Sequence, residues 1–139
     1  MYQIYGTNIS LMNEIYISQS LYRVEFEVIE KVKELRKSKG WSQRTLSNKM
    51  GFSESFVGKV ESLSQPEKYN LRHLIILKKI FSLTTLDDLF PKNLPDDELI
   101  VIKYTKVPKL NKNGTTSKKT EDHVEEILVV SDNIDQKNM

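Results

Sequence analysis

Apolar residues at Val28, Ile29, Val32 and Leu35 recur at helical spacing, and the run stops at Lys37-Ser38-Lys39-Gly40, two cations and then a glycine suited to a C-cap. This predicts a first helix. Upstream, Tyr22 to Val28 alternates apolar and polar with the strand period of two, which leaves the start of that helix open. Ser42 is a good N-cap for Gln43 to Met50, where Leu46 and Met50 stand four apart and Gly51 follows. Ser53 is the expected cap of a third short helix, Glu54 to Ser62, with Val57 and Val60 three apart. The polar stretch from Leu63 to Asn70, with Pro66, reads as a loop. Leu71, Leu74, Ile75, Lys78 and Phe81 then set out a fourth helix, and Thr84 or Thr85 caps a last turn holding Leu86, Leu89 and Phe90 before Pro91. Five helices joined by short turns imply an all-α bundle over residues 23–93.

The flanks follow another pattern. Leu99 to Thr105 is rich in β-branched residues and reads as a strand. Lys109 to Thr120 is polar, with a turn expected at Asn113-Gly114, and His123 to Val130 suits either a second strand or a short amphipathic helix. So long an intervening loop argues against a paired hairpin. Residues 94–139 are therefore expected as a C-terminal tail, β-containing or disordered, with 131–139 unstructured. Residues 1–22 form an N-terminal extension in which Glu14 to Ile17 suits a short strand, and Met12 is an alternative start.

A chain of 139 residues, 38% hydrophobic and 29% charged, suits one core with arms and excludes a multidomain enzyme. The absence of cysteine removes disulfides, thiolate metal sites and cysteine nucleophiles. Two isolated histidines do not make a zinc site, so neither a metal nor a cofactor is expected. No basic residue precedes Arg23, and the longest aliphatic runs span four residues, so neither signal peptide nor membrane span is expected and the protein reads as cytoplasmic. The formal charge of +2 hides a concentration: residues 31–60 carry eight basic side chains against Glu34 and Glu54. Such a segment suits a polyanion, although composition alone favours the more common account, a solvated helix face.

The order of motifs decides between these. Leu35-Arg36-Lys37-Ser38-Lys39-Gly40-Trp41-Ser42-Gln43-Arg44-Thr45-Leu46 is followed by Met50-Gly51-Phe52-Ser53-Glu54-Ser55-Phe56-Val57-Gly58-Lys59-Val60-Glu61. Together they resemble the opening signature, turn and recognition helix of the Cro/C1-type, or XRE-family, helix-turn-helix DNA-binding domain. The resemblance continues through Leu71 to Pro91 and covers about half the chain; it implies the five-helix, lambda-repressor-like bundle. Two departures stand out: Ser47 occupies a place usually held by alanine, and the loop from Leu63 to Asn70 is unusual. At about 100° per residue, Glu54, Ser55, Gly58, Lys59 and Ser62 share one side of the third helix, while Phe56, Val57 and Val60 share the other.

That polar face makes Glu54, Ser55, Gly58 and Lys59 the base-reading candidates in a major groove about 12 Å wide. Glu54 suits cytosine recognition or, equally, the helix dipole. Gly58 costs about 1 kcal/mol relative to alanine, compensated by close approach to DNA or to a neighbouring helix. Ser42, Gln43, Arg44 and Lys49 are the phosphate candidates; for Gln43 the resemblance implies contact through its side chain and the helix N-terminus. The resemblance also implies an ion pair between Arg36 and Glu61.

These readings converge on a non-enzymatic, sequence-specific regulator of transcription, a repressor or antitoxin-like autoregulator. Its expected partners are double-stranded DNA, a second copy in a homodimer with Leu99 to Val107 as candidate interface, and a protein docking on the C-terminal tail. The alternative is a protein-interaction module whose basic face is incidental. Asp87-Asp88 and Asp96-Asp97 are adjacent acidic pairs, but neither lies near a histidine or phosphate loop, and His73 and His123 read as surface residues; no catalytic residue is assigned.

Overall fold

The computed structural model describes residues 14–130. Its elements run in chain order as β1 (Tyr16–Ile17), β2 (Leu21–Tyr22), α1 (Arg23–Ser38), α2 (Gln43–Met50), α3 (Phe56–Glu61), α4 (Leu71–Ile80), a 3-10 turn (Leu86–Leu89), β3 (Leu99–Leu110) and β4 (Thr116–Val129). The fold is mixed α and β, which overturns the expectation of an all-α five-helix bundle. Two physical causes account for the difference. The segment after Thr85 is too short for a fifth α-helix and closes as a single 3-10 turn, with the Asp88 carboxylate accepting from the Thr85 amide at 3.2 Å. The C-terminal strands also run deep into the polar stretch, leaving only Asn111 to Thr115 as their connection.

All four strands form one antiparallel sheet around β3. β4 covers one edge of β3, from Ile100 opposite Val129 to Leu110 opposite Thr116. The other edge is shared by the two strands of the N-terminal segment, Tyr16 opposite Tyr104 and Leu21 opposite Ile100. Between them Ser18 keeps the ladder closed, because its amide donates to the Ile102 carbonyl and its hydroxyl accepts from the Ile102 amide, both at 2.9 Å. Met12, the first eleven residues and the stretch 131–139 lie outside the described residues.

The long helix α1 joins the two halves. Val28, Ile29 and Val32 enter a helical core with Leu46, Met50, Val57, Val60, Leu74, Leu77 and Leu89. Phe26, one position off that stripe, turns instead into a second cluster with Ile100, Ile102 and Tyr104 from the inner face of β3. Ile100 and Ile102 are wholly buried, and each such side chain contributes about 1.5–3 kcal/mol of transfer free energy. This explains why Tyr22 to Val28 carried a mixed period: Tyr22 ends β2, whereas Arg23 already begins α1. Arg23 holds the junction, its Nε donating to Asp97 Oδ2 at 2.9 Å and its backbone amide to the Glu98 carbonyl at 2.7 Å.

The helix ends are set by local chemistry. Ser42 Oγ accepts from the Thr45 amide at 3.0 Å, and Gly51 closes α2 at φ 81°, a left-handed conformation that favours glycine. α3 starts two residues later than expected and is not capped by Ser53; Glu54 and Ser55 form a turn instead. α4 begins at the expected place and buries Leu74 and Phe81 of the expected stripe, but the wholly buried Leu77 joins them while Leu71 is 81% exposed.

Candidate nucleic-acid interface

α2 and α3 are locked together from inside. Ser47 is fully buried, and its hydroxyl donates to the Gln43 carbonyl at 2.9 Å while accepting from the Val57 amide at 3.0 Å. Val57 lies in the first turn of α3, where backbone amides have no partner within the helix, and α3 has no side-chain cap of its own. Ser47 therefore supplies that cap from the neighbouring helix. Alanine at this position cannot do so.

A second lock lies at the other end of α3. Arg36 donates from Nε to Glu61 Oε2 at 2.9 Å and from Nη2 to Oε1 at 2.8 Å, and its third nitrogen donates to the Trp41 carbonyl at 2.8 Å. Both side chains are buried, and the Gln43 amide adds a further donor to Glu61 Oε1 at 2.9 Å. The carboxylate thus receives three hydrogen bonds, two of them from a planar guanidinium, which is the geometry a buried charge needs.

These locks hold an open groove of about 610 Å³ lined by Ser42, Gln43, Arg44, Glu54, Ser55, Gly58 and Lys59. Seven of the eight DNA-contact candidates line it. Lys49 does not; it lies at the far end of α2, its ammonium 4.6 Å from the centre of the Trp41 ring. Ser55 and Lys59 are exposed and make no side-chain hydrogen bond or ion pair among the described residues. Glu54 is held by Arg44 at 2.8 Å, an exposed pair worth at most about 1 kcal/mol and therefore easily exchanged for another partner. Ser42 spends its hydroxyl on the α2 cap. A Cβ on Gly58 would come 3.3 Å from Gln43 Oε1, so the close neighbour that this glycine admits is the side chain of α2.

Gln43 has both ends of its amide engaged. Nε2 donates to Glu61, and Oε1 accepts from Lys109 Nζ at 3.1 Å. Lys109 and Lys119, from the distal part of the β3–β4 hairpin, line the same groove, and neither was among the sequence candidates. The sequence carries a signal for them: from Lys106 to Thr120 there are five lysines and no acid. Its meaning depends on a pairing that brings position 109 to position 43.

His73 is not a simple surface residue. Its Nδ1 accepts from the Asn70 amide at 3.0 Å while Asn70 Oδ1 accepts from the His73 amide at 2.9 Å, a reciprocal cap on α4. Its ring packs edge-on to Phe52 and Phe56, and desolvation, then Arg72, pushes its pKa below the ordinary value. Asp88 and Asp97 serve a turn and an ion pair respectively. Among the described residues no group of histidine and carboxylate side chains could hold a metal ion, and no helix is long and apolar enough to cross a membrane.

Comparison with protein-family models, curated proteins and solved structures finds no match to this chain.

Proposed function

We propose that the protein is a sequence-specific double-stranded DNA-binding regulator of the Cro/C1 type, acting in the cytoplasm as a repressor or antitoxin-like autoregulator. The α2–turn–α3 unit serves as the helix-turn-helix. The observation that carries this reading is the face of α3 and its preceding turn: Ser55 and Lys59 stand exposed in a groove beside Arg44, while Val57 and Val60 anchor the opposite face in the core. An apolar anchor on one side and hydrogen-bonding groups on the other suit a helix held rigidly against base edges. Ser55 and Lys59 read bases, with Glu54 joining them when Arg44 turns to a phosphate. Gln43, Arg44 and the N-terminal turn of α2 bind backbone phosphates. A homodimer supplies the second half-site.

A second reading is a protein-interaction module. It is favoured by one observation: Arg44 and Glu54 pair with each other and the Gln43 side chain is held by Glu61 and Lys109, so three of the side chains offered to DNA are already engaged within the protein.

Selection of binding sites from random duplex DNA at moderate salt tests the assignment. The expected result is a defined, two-fold symmetric site, bound with a log–log salt slope of about −3 to −5 per domain as four to five phosphates displace counterions. Absence of duplex binding at low salt, or a flat salt profile, favours the protein-interaction reading.

A further inference from the structure

The β3–β4 hairpin is longer than its core requires. Its inward residues from Ile100 to Tyr104, with Val124 and Ile127, complete the sheet cluster. From Lys106 to Thr120 the two strands continue as an arm, and charge is sharply divided along it. The proximal part of β4 carries Glu121, Asp122, Glu125 and Glu126, all engaged. Glu121 pairs with Lys37 and Asp122 with Lys106; Glu125 accepts from Thr105, and Glu126 pairs with Lys103. The distal part carries Lys109, Lys112, Lys118 and Lys119 and no acid. Lys112, Lys118 and Lys119 are exposed and make no ion pair among the described residues.

The arm is braced rather than free. Asp122 Oδ2 accepts from the Leu63 amide just beyond α3 at 2.7 Å, Glu121 takes Lys37 of α1 at 3.2 Å, and Lys109 reaches Gln43. Its tip is shaped by its own hydrogen bonds: the Asn111 amide donates to the Thr115 carbonyl at 2.7 Å, the Gly114 amide to the Asn111 carbonyl at 2.9 Å, and Gly114 sits at φ 86°. Between the pairs Pro108–Thr120 and Leu110–Thr116, β4 has two more residues than β3. That bulge holds Lys118 and Lys119 and re-aims them relative to a regular ladder.

We infer that this basic hairpin arm is a second DNA-binding element, gripping the sugar–phosphate backbone beside the groove that receives α3. The inference rests on the DNA-binding reading above and adds to it a contact surface outside the helical unit. Beyond Lys109 the arm keeps one strand residue, Leu110, before the Asn111–Thr115 turn, and Lys119 lines the groove together with Lys109, so the basic tip stands at the rim of the groove that holds Ser55 and Lys59, on the side where the phosphates flanking a major groove about 12 Å wide would lie. Its occupant is backbone rather than base edges. The Asn111 and Asn113 side chains of the tip are bonded to Thr115 within the tip itself, which leaves flexible lysine ammonium groups, point charges suited to phosphates, as its outward chemistry.

The test is a salt titration of the full chain on a mixed-sequence duplex of about 30 base pairs, comparing wild type with K112Q/K118Q/K119Q and with K79Q/K92Q as a charge control outside the groove. The triple variant should melt like wild type, since these side chains make no ion pair. Its salt slope should fall in magnitude by about 2.7, about 0.9 per lysine removed, with affinity lowered alike for every sequence. The control should keep the wild-type slope. Wild-type binding with an unchanged slope in the triple variant overturns the arm's role and leaves the DNA-binding reading standing. No wild-type binding to the duplex overturns both. Loss of base preference in Lys59→Ala is read separately, so an error in the α3 assignment does not mask the arm. Tighter, arm-dependent binding of a duplex RNA of equal length overturns DNA as the occupant.

Discussion

Arg36 and Glu61 meet as a bidentate pair at 2.8 and 2.9 Å, buried between α1 and α3, with the Gln43 amide and the Trp41 carbonyl completing their hydrogen bonds. The pair orients α3 on α1 and, through Gln43, joins it to the hairpin arm. Removing either partner leaves the other charge buried and uncompensated. Arg36→Ala and Glu61→Ala should each cost about 3 kcal/mol in urea denaturation, whereas an apolar replacement of both, Arg36→Met with Glu61→Leu, should recover most of that loss. Two single variants with unchanged denaturation midpoints would show that water reaches the pair.

Ser47→Ala tests the cap that α2 lends to α3. The substitution improves the intrinsic helix propensity of α2, yet it strands the Val57 amide in the core. Losing a buried hydrogen bond partner costs about 1–3 kcal/mol, more than the few tenths gained from propensity, so the variant should be less stable than wild type. Amide exchange at Val57 should accelerate more than exchange in α4. A variant as stable as wild type would mean the amide finds another acceptor.

Lys59 and Gln43 should differ in kind. Lys59→Ala is expected to cost about 1–3 kcal/mol at one base position and to relax preference there, because an exposed ammonium in the groove can donate to guanine O6 or N7. Gln43→Ala should weaken binding to all sequences alike and release Lys109 from its anchor. The measurement is affinity for a panel of single-base changes in a selected site. Uniform loss in Lys59→Ala would reassign it to phosphate.

His73 predicts a pH effect with a definite sign. Its folded pKa lies below the unfolded value near 6.5, through desolvation first and Arg72 second, and the protonated ring cannot accept from the Asn70 amide. Below about pH 6.5 the unfolded chain binds the proton more readily, so stability falls as pH drops from 7 towards the folded pKa; above 6.5 both states are neutral and the effect vanishes. His73→Gln keeps an acceptor at this cap position and should remove the loss between pH 7 and 5.5. Identical pH profiles for the two proteins would place the titration elsewhere.

The helix ends were readable because their causes lie within a few residues. Ser42 with Thr45, and Gly40 and Gly51 in left-handed turns, each act across one turn of chain. The β-branched run of Leu99 to Thr105 announced a strand for the same reason. The start of α3 escaped, since its cap comes from Ser47, ten residues away in another helix. The edge of the buried face of α4 escaped too: Leu71 and Leu77 are equally apolar, and only the packing against α2 and the 3-10 turn chose Leu77.

The sheet is where local reasoning stops. Sequence periodicity reports the conformation a segment prefers, but pairing is a contact between segments, and Ser18 meets Ile102 across 84 positions. Neither end of the chain reads as part of one sheet until the other is in place, which is why an all-α body with loose arms was the natural expectation. The candidate interface divides along the same line. Ser42, Gln43, Arg44, Glu54, Ser55 and Lys59 were legible as neighbours because one short stretch, from α2 to α3, carries them all; Lys109 and Lys119 join that groove only because β3 and β4 pair far enough to carry their charge across the fold to Gln43.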